Sequence, residues 1–552
     1  MRAILGRSET LVFGVGAWVM LTCNAGFWRT LAAAGEGGAR LAWPHLLSFL
    51  SVSIGLTGLA LLLLAVGRAT RPVLALALVT AAAAGYFTAH YGILFDKKML
   101  VNVLETNGAE ASELVSGRLL AVVTAFGILP ALLVTRVRLP KRRPGRAILQ
   151  RAAGLALAIA LVAGPLFMDQ KQVFSTARNH RELAHMVAPL DVIAAAYALL
   201  GDTLDRPPEF EPVATDAKRV MPPGGAGRPN VHVLVVGETA RAASFALTGY
   251  DRDTTPGLAR RGLYSVSEAT ACGTATAQSL PCMFSIQTVE EFDAERAEHQ
   301  DNLLDIAARA GYEVLWLDNG NNCKGVCARV DTVDLGASGP GPACEDDRCY
   351  DEVLVDRLRQ LLPAIRKDTL IVLHQLGSHG PSYYRRYPDA FRHFVPDCRS
   401  DDLADCTSEE IRNSYDNTIL YTDHVVSRAI DALSAESDRL STSLVYVSDH
   451  GESLGEHNLY LHGMPRRFAP DEQTHVPMIA WFSRQSIQAQ GLARQCGRAT
   501  PGQPASHDNL FHTELGLLGI RSAAYDPGLD LFSSCRSETR AAVLPRSAAV
   551  EG

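Results

Sequence analysis

Up to residue 168 the chain repeatedly runs apolar for about a membrane thickness; after that the pattern changes. Five runs, at approximately 11–34, 44–66, 72–92, 118–136 and 147–168, reach the roughly 20 residues that a helix needs to cross a hydrocarbon core. Beyond them come short β-branched runs at 231–236, 313–317, 369–374, 443–448 and 476–481, separated by helical spacing at 302–310, 350–364 and 414–433. Buried strands alternating with helices predict an α/β domain with a mostly parallel central sheet. A Pro- and Gly-rich stretch at 207–229 reads as a linker. The expected organisation is a five-helix transmembrane domain over 1–168, connecting helices and linker over 169–228, and a soluble α/β domain over 229–552. Within the connector, 179–200 has apolar spacing that suits either a helix on the membrane surface or an ordinary connecting helix.

Charge orients the spans. The second connection carries Arg68 and Arg71, and the fourth carries Arg136, Arg138, Lys141, Arg142, Arg143 and Arg146. The first and third hold fewer basic groups: Arg29 and Arg40, then Lys97, Lys98 and Arg118. The positive-inside rule puts the N-terminus and the second and fourth connections in the cytoplasm. With five spans, everything after about Asp169 is then expected outside it. Arg2 and Arg7 before the first run also suit a cleaved leader, but the run is long for one. Arg151, one turn inside the fifth run, is expected to snorkel. A net charge of −7 excludes a general nucleic-acid binder, and an apolar content of 47% excludes extensive disorder.

Cysteine placement agrees with an outer domain. Cys23 lies in the first run, and the other ten cysteines all follow residue 270. An even set in an oxidising compartment predicts disulfides. The simplest pairing is between sequence neighbours: 272–282, 323–327, 344–349, 398–406 and 496–535. A zinc site built from Cys323, Cys327, Cys344 and Cys349 is the rival.

In parallel sheets ligands bind past the carboxyl ends of the strands, so the polar residues there are the candidates. Glu238 follows the first run, and adjacent Asp449 and His450 follow the fourth. Two carboxylates and an imidazole suit zinc, with manganese a rival, although either carboxylate alone could cap a helix. The segment from Cys272 to Cys282 offers Thr274, Thr276 and Ser279. A hydroxyl at a helix start, beside anion-attracting amides and a metal, becomes a nucleophile at neutral pH; bare chemistry leaves all three open. His379 and His462 can donate a proton to a leaving oxygen or bind a second metal. His374, inside an apolar strand, reads as a core residue.

The strings Gly237–Glu238–Thr239–Ala240–Arg241, Cys272–Gly273–Thr274–Ala275–Thr276, Cys323–Lys324–Gly325–Val326–Cys327, Gly377–Ser378–His379–Gly380–Pro381 and Ser448–Asp449–His450–Gly451–Glu452 resemble the lipid A phosphoethanolamine transferases. These are inner-membrane enzymes of the alkaline phosphatase-like superfamily, and they include the mobile colistin-resistance enzymes. The resemblance covers nearly the whole chain. It implies Thr274 as nucleophile and a tightly held zinc on Glu238, Thr274, Asp449 and His450, with a second ion as an option near His379 and His462. It also implies Lys324 and Glu452 as substrate contacts. The family's Asn four residues before that lysine is replaced by Gly320 here, with Asn319 and Asn321 beside it. By the same likeness Asn102, Thr106 and Glu110 are candidates for holding the donor headgroup.

The function so implied is transfer of phosphoethanolamine from phosphatidylethanolamine to a lipid A phosphate through a phosphothreonine. The expected setting is the bacterial inner membrane, with the N-terminus cytoplasmic, the catalytic domain periplasmic and the chain a monomer. Transfer to a glycan, or hydrolysis of a sulfate or phosphate ester, is the alternative. A non-catalytic zinc-binding membrane protein fits the complete set of nucleophile and ligands less well.

Overall fold

The structure is a computed structural model that describes residues 8–34, 41–106, 108–139, 143–204, 208–220, 227–320, 322–336, 343–345, 348–492 and 504–536. The chain divides into two compact units. One is Met1–Asp205 with Gly455–Tyr460; the other is Arg206–Leu454 with Leu461–Gly552.

In the first unit, four helices are long and apolar enough to cross a membrane: Trp43–Leu64, Gly67–Tyr91, Gly117–Arg136 and Pro144–Met168. The expected first span is instead a bent pair, Ser8–Thr22 and Ala25–Ala33, turned by 62°. The break has a local cause. Buried Asn24 sits at the bend, where its side-chain amide donates to the carbonyls of Val19 and Ala188 and its Oδ1 accepts from Ala188 N. The bent backbone also presses on the third span, where a Cβ at Gly85 would lie 1.8 Å from the Cys23 carbonyl oxygen. In the fourth span Pro130 has no N–H to offer the carbonyl of Phe126. That carbonyl accepts from Trp18 Nε1 at 3.0 Å instead, which spares it an unsatisfied state at membrane depth. Arg151, expected to snorkel, donates Nη1 to the Ala65 carbonyl at 3.1 Å.

The second unit is built on one eight-stranded sheet. Its strands in chain order are β1 (Asn230–Gly237), β2 (Tyr264–Thr270), β3 (Glu313–Asp318), β4 (Asp331–Asp334), β5 (Thr369–His374), β6 (Ser441–Ser448), β7 (His475–Phe482) and β8 (Ala505–Ser506). Across the sheet they run β8-β2-β7-β6-β1-β5-β3-β4. Only β7 is reversed, antiparallel to both β2 and β6. Every residue of β1, β5 and β6 is buried, which is why these strands are rich in Val and Leu and do not alternate polar with apolar. His374 is core as expected, buried with Asp318 Oδ1 at 3.2 Å. Because β1 pairs in parallel with both β5 and β6, the carboxyl ends of the three strands lie side by side, and the space beyond such ends is where ligands bind.

Four of the expected disulfides are present: Cys272–Cys282, Cys323–Cys327, Cys344–Cys349 and Cys398–Cys406. The four-thiolate zinc alternative is thereby excluded. Cys496 of the fifth pair lies outside the described residues. Alkylation of the denatured, unreduced full-length protein is expected to add one label, on buried Cys23. Two or more further labels would contradict the pairing of the other ten.

Candidate metal centre

The carboxyl ends of β1 and β6 deliver Glu238, Asp449 and His450 to one point. All three are buried, and one ligand atom from each lies within 4.8 Å of the others. Among the described residues this is the one group of three or more His, Cys, Asp or Glu that converges in this way. The turn after β1 is strained: Thr239, a β-branched residue, holds φ at +59°, which costs free energy that the surroundings must supply. Its N–H donates to Asp449 Oδ1 at 3.1 Å and its hydroxyl to Glu238 Oε1 at 2.6 Å. The strain thus orients both carboxylates.

A fourth donor is a threonine, but not Thr274. The hydroxyl of Thr276 donates to Glu238 Oε2 at 2.9 Å and lies 3.3 Å from His450 Nε2. Thr276 opens the helix Thr276–Phe284, whereas Thr274 lies two residues upstream. The Thr274 hydroxyl donates to the Met464 carbonyl at 2.6 Å, and its own carbonyl accepts from Gly463 N at 2.7 Å. Thr274 therefore fastens the segment between Cys272 and Cys282 to the loop bearing His462. Of the two threonines, the structure thus brings the hydroxyl of Thr276, and not that of the expected Thr274, to Glu238 and His450.

The four donors fit a tetrahedral cation. Zinc bonds of 2.0–2.2 Å imply ligand–ligand separations of about 3.3–3.6 Å. His450 Nε2 lies 3.3 Å from Glu238 Oε1, 3.4 Å from Asp449 Oδ2 and 3.3 Å from Thr276 Oγ1. The Nδ1 of the same ring is 2.9 Å from the Gly451 carbonyl oxygen, which can only accept; the proton then sits on Nδ1 and leaves the Nε2 lone pair for a metal. Asp449 Oδ2 is buried with no hydrogen-bond partner, a costly state that a cation would relieve. Electrostatics agree. Burial and the Glu238 charge push Asp449 up to about 7. Burial opposes a charged His450, but Asp449 and Glu238 overcome it and raise it to about 10. Burial also opposes a charged Glu238, yet hydrogen bonding and charge from His450 hold it well below the usual carboxylate range.

Around this point stand the other candidates of the second unit. The ring of His462 is 4.4 Å from that of His450 and 5.2 Å from that of His379, centroid to centroid. Gly377 makes room for the His379 loop. It holds φ at +58°, and a Cβ there would lie 2.4 Å from the Glu238 carbonyl oxygen. Glu452 is fully buried between His462 Nδ1 at 2.8 Å and the Tyr383 hydroxyl at 2.5 Å, and burial raises it to about 8. Lys324 lies past the end of β3, in the loop closed by Cys323–Cys327, and is half-buried. The family's Asn has no substitute from Asn319, whose amide donates to the Cys349 carbonyl and to Asp351 Oδ1; Asn321 lies outside the described residues. A side chain at Gly320 would meet His374 Cε1 at 2.8 Å and the Gln375 carbonyl oxygen at 2.9 Å.

In the first unit, Asn102 belongs to the helix Lys97–Glu105, and its carbonyl accepts from both the N–H and the hydroxyl of Thr106. Glu110 falls in the short helix Gly108–Glu113, and its side chain lies outside the described residues.

Sequence reasoning missed two supports. Tyr383 orients Glu452. His507 accepts from Cys272 N at 3.0 Å and donates to the Ser448 carbonyl at 2.9 Å. Burial lowers His507 to about 3, so it is the neutral link between the segment that begins at Cys272 and β6. No local pattern marks either residue; only the tertiary pairing does.

Residues 229–520 match the sulfatase family and residues 54–204 the family described as phosphoethanolamine transferase EptA/EptB. The chain is 39% identical to phosphoethanolamine transferase EptA of Escherichia coli K12, across 84% of this chain and 86% of that protein. It is 35% identical to phosphatidylethanolamine transferase Mcr-1 of Escherichia coli, across 86% and 90%. Its structure superposes on the integral membrane lipooligosaccharide phosphoethanolamine transferase A of Neisseria meningitidis with a TM-score of 0.90, 34% identity and coverage of 97% and 98%. The chain belongs to the lipid A phosphoethanolamine transferases, the EptA and Mcr family of the alkaline phosphatase and sulfatase superfamily.

Proposed function

We propose that this protein moves phosphoethanolamine from phosphatidylethanolamine to a lipid A phosphate by way of a covalent intermediate on Thr276. The observation that carries the reading is the Thr276 hydroxyl, shared between Glu238 and His450 at a helix start. Glu238, Asp449, His450 and Thr276 would hold one zinc ion, which when bound supplies Lewis-acid stabilisation and a lowered hydroxyl pKa.

Thr276 Oγ1 gives its proton to Glu238 Oε2, the oxygen it already hydrogen-bonds, and attacks the donor phosphorus; the bond from phosphorus to the diacylglycerol oxygen breaks, and the threonine carries a phosphodiester. His379 or His462 gives the departing oxygen its proton, with Glu452 holding the His462 ring by Nδ1. An oxygen of a lipid A phosphate then attacks the same phosphorus and releases the Thr276 hydroxyl. Amides at the start of Thr276–Phe284 favour the anionic phosphoryl group there. Lys324 is assigned to the headgroup phosphate. Asn102, Thr106 and Glu110 are assigned to the donor in the membrane unit. The N-terminus is assigned to the cytoplasm and the catalytic unit to the periplasm of a monomeric enzyme.

Lipid A from cells with and without this protein should differ by the mass of one phosphoethanolamine; identical spectra would refute the acceptor. Glu110→Gln is expected to raise the donor KM about three- to tenfold through loss of a carboxylate–ammonium contact, with zinc content unchanged. Equal donor kinetics would return Glu110 to a solvated loop.

A further inference from the structure

A cavity of about 900 Å³ opens within the membrane unit, and none of its residues belongs to the transferase site. Its walls come from the beginning of the first span, from residues 66–72 between the second and third spans, and from the fourth span's end and the fifth span's beginning. By chain order these elements are the N-terminal end and the second and fourth connections, which the distribution of Lys and Arg assigns to the cytoplasmic side. The cavity is therefore one-sided, at the level of the lipid headgroups.

Its charge is unbalanced. Among the described residues, Arg68, Arg71 and Arg151 line it against one carboxylate, Glu9. Arg151 is fixed by Nη1 on the Ala65 carbonyl, and its Nη2 is buried with no hydrogen-bond partner. An unsatisfied cationic donor at that depth is costly, and an anion would satisfy it. Apolar Val66, Leu139 and Ile148 share the rest of the wall with the hydroxyl residues Ser8, Thr70 and Thr135. Arginines beside an apolar wall suit an amphipathic anion better than a free one, and cavities of about 300–1,000 Å³ accept ligands of headgroup size.

We propose that this cavity is a binding site for the phosphate of an anionic membrane phospholipid. The phosphodiester sits among Arg68, Arg71 and Arg151, and the glycerol and upper acyl chains lie against the apolar wall. Zwitterionic lipids are disfavoured, because their ammonium group would meet surplus guanidinium charge.

The test is native mass spectrometry of the full-length protein in neutral detergent, titrated separately with dioleoylphosphatidylglycerol, dioleoylphosphatidylcholine and inorganic phosphate. One phosphatidylglycerol per chain is expected to bind on the order of 10–30-fold tighter than phosphatidylcholine. In the double variant Arg68→Gln, Arg71→Gln, that preference should fall to within about twofold. Arg151 is left intact because it ties two spans together. Glu9→Gln, which removes the opposing charge, should tighten phosphatidylglycerol by about fivefold and gives an answer even if the double variant fails to fold. Equal affinity for the two lipids, a preference that survives the double variant, or Glu9→Gln that weakens or leaves binding unchanged would overturn the proposal. Inorganic phosphate binding as tightly as phosphatidylglycerol would overturn the lipid as its source.

Discussion

Replacing Thr276 by alanine is expected to cut transfer by at least about 1,000-fold, because no other hydroxyl can form the covalent intermediate. Zinc should persist, since Glu238, Asp449 and His450 remain and water can take the fourth place. Thr276→Ser should keep partial activity: the hydroxyl survives, but the methyl that restrains its rotamer is lost. Thr274→Val removes one hydrogen bond, to Met464, and should cost no more than about tenfold. The ordering separates the two threonines. Fragmentation of the peptide spanning both, after incubation with donor and no acceptor, should place phosphoethanolamine on Thr276. A modified Thr274, or an active Thr276→Ala, would overturn the assignment.

The second large effect concerns the ligands. His450→Ala should leave less than about a tenth of the zinc bound and lower activity by more than the roughly 10–100-fold that loss of an outer partner costs. Zinc retention at parental levels would sink the proposed ligand set. Removing the metal should also expose a pH dependence. Burial and Glu238 raise Asp449 from 3.8 to about 7. A carboxyl raised by folding stabilises the fold fully below its unfolded value and loses that contribution as pH climbs through about 7. His450, raised from 6.5 to about 10, acts in the same direction. Chelated protein should therefore melt at a lower temperature at pH 8 than at pH 6, and restored zinc should narrow the gap.

Much of this was legible because it is periodic or clustered. Long apolar runs gave the spans, and buried strands such as β1 and β6 stood out as short Val- and Leu-rich runs followed by Glu238 and by Asp449 and His450. What could not be read depends on residues far apart in the chain. The bend at Asn24 is held by Ala188, 164 positions away, so a single apolar run looked like one straight span. Tyr383 and His507 act through Glu452 and Cys272. The choice among the hydroxyls between Cys272 and Cys282 is a different lesson. Requiring a hydroxyl at a helix start selects Thr276 once the helix is known to begin there, whereas likeness of the motif string pointed to Thr274.

The Cys272–Cys282 bridge encloses Thr276 within ten positions of chain. Closing so short a loop removes roughly 2–3 kcal/mol of freedom from the open chain. Before those sulfurs join, hydrogen bonds such as Cys272 N to His507 and Thr274 to Met464 are left to keep its loop in place. Oxidation is then a maturation step, and it is available only after the soluble unit leaves the reducing compartment where it was made. Under the proposed function, the bond that shapes the site thereby acts as a mark of location, closing only where the catalytic unit is exposed to an oxidising compartment.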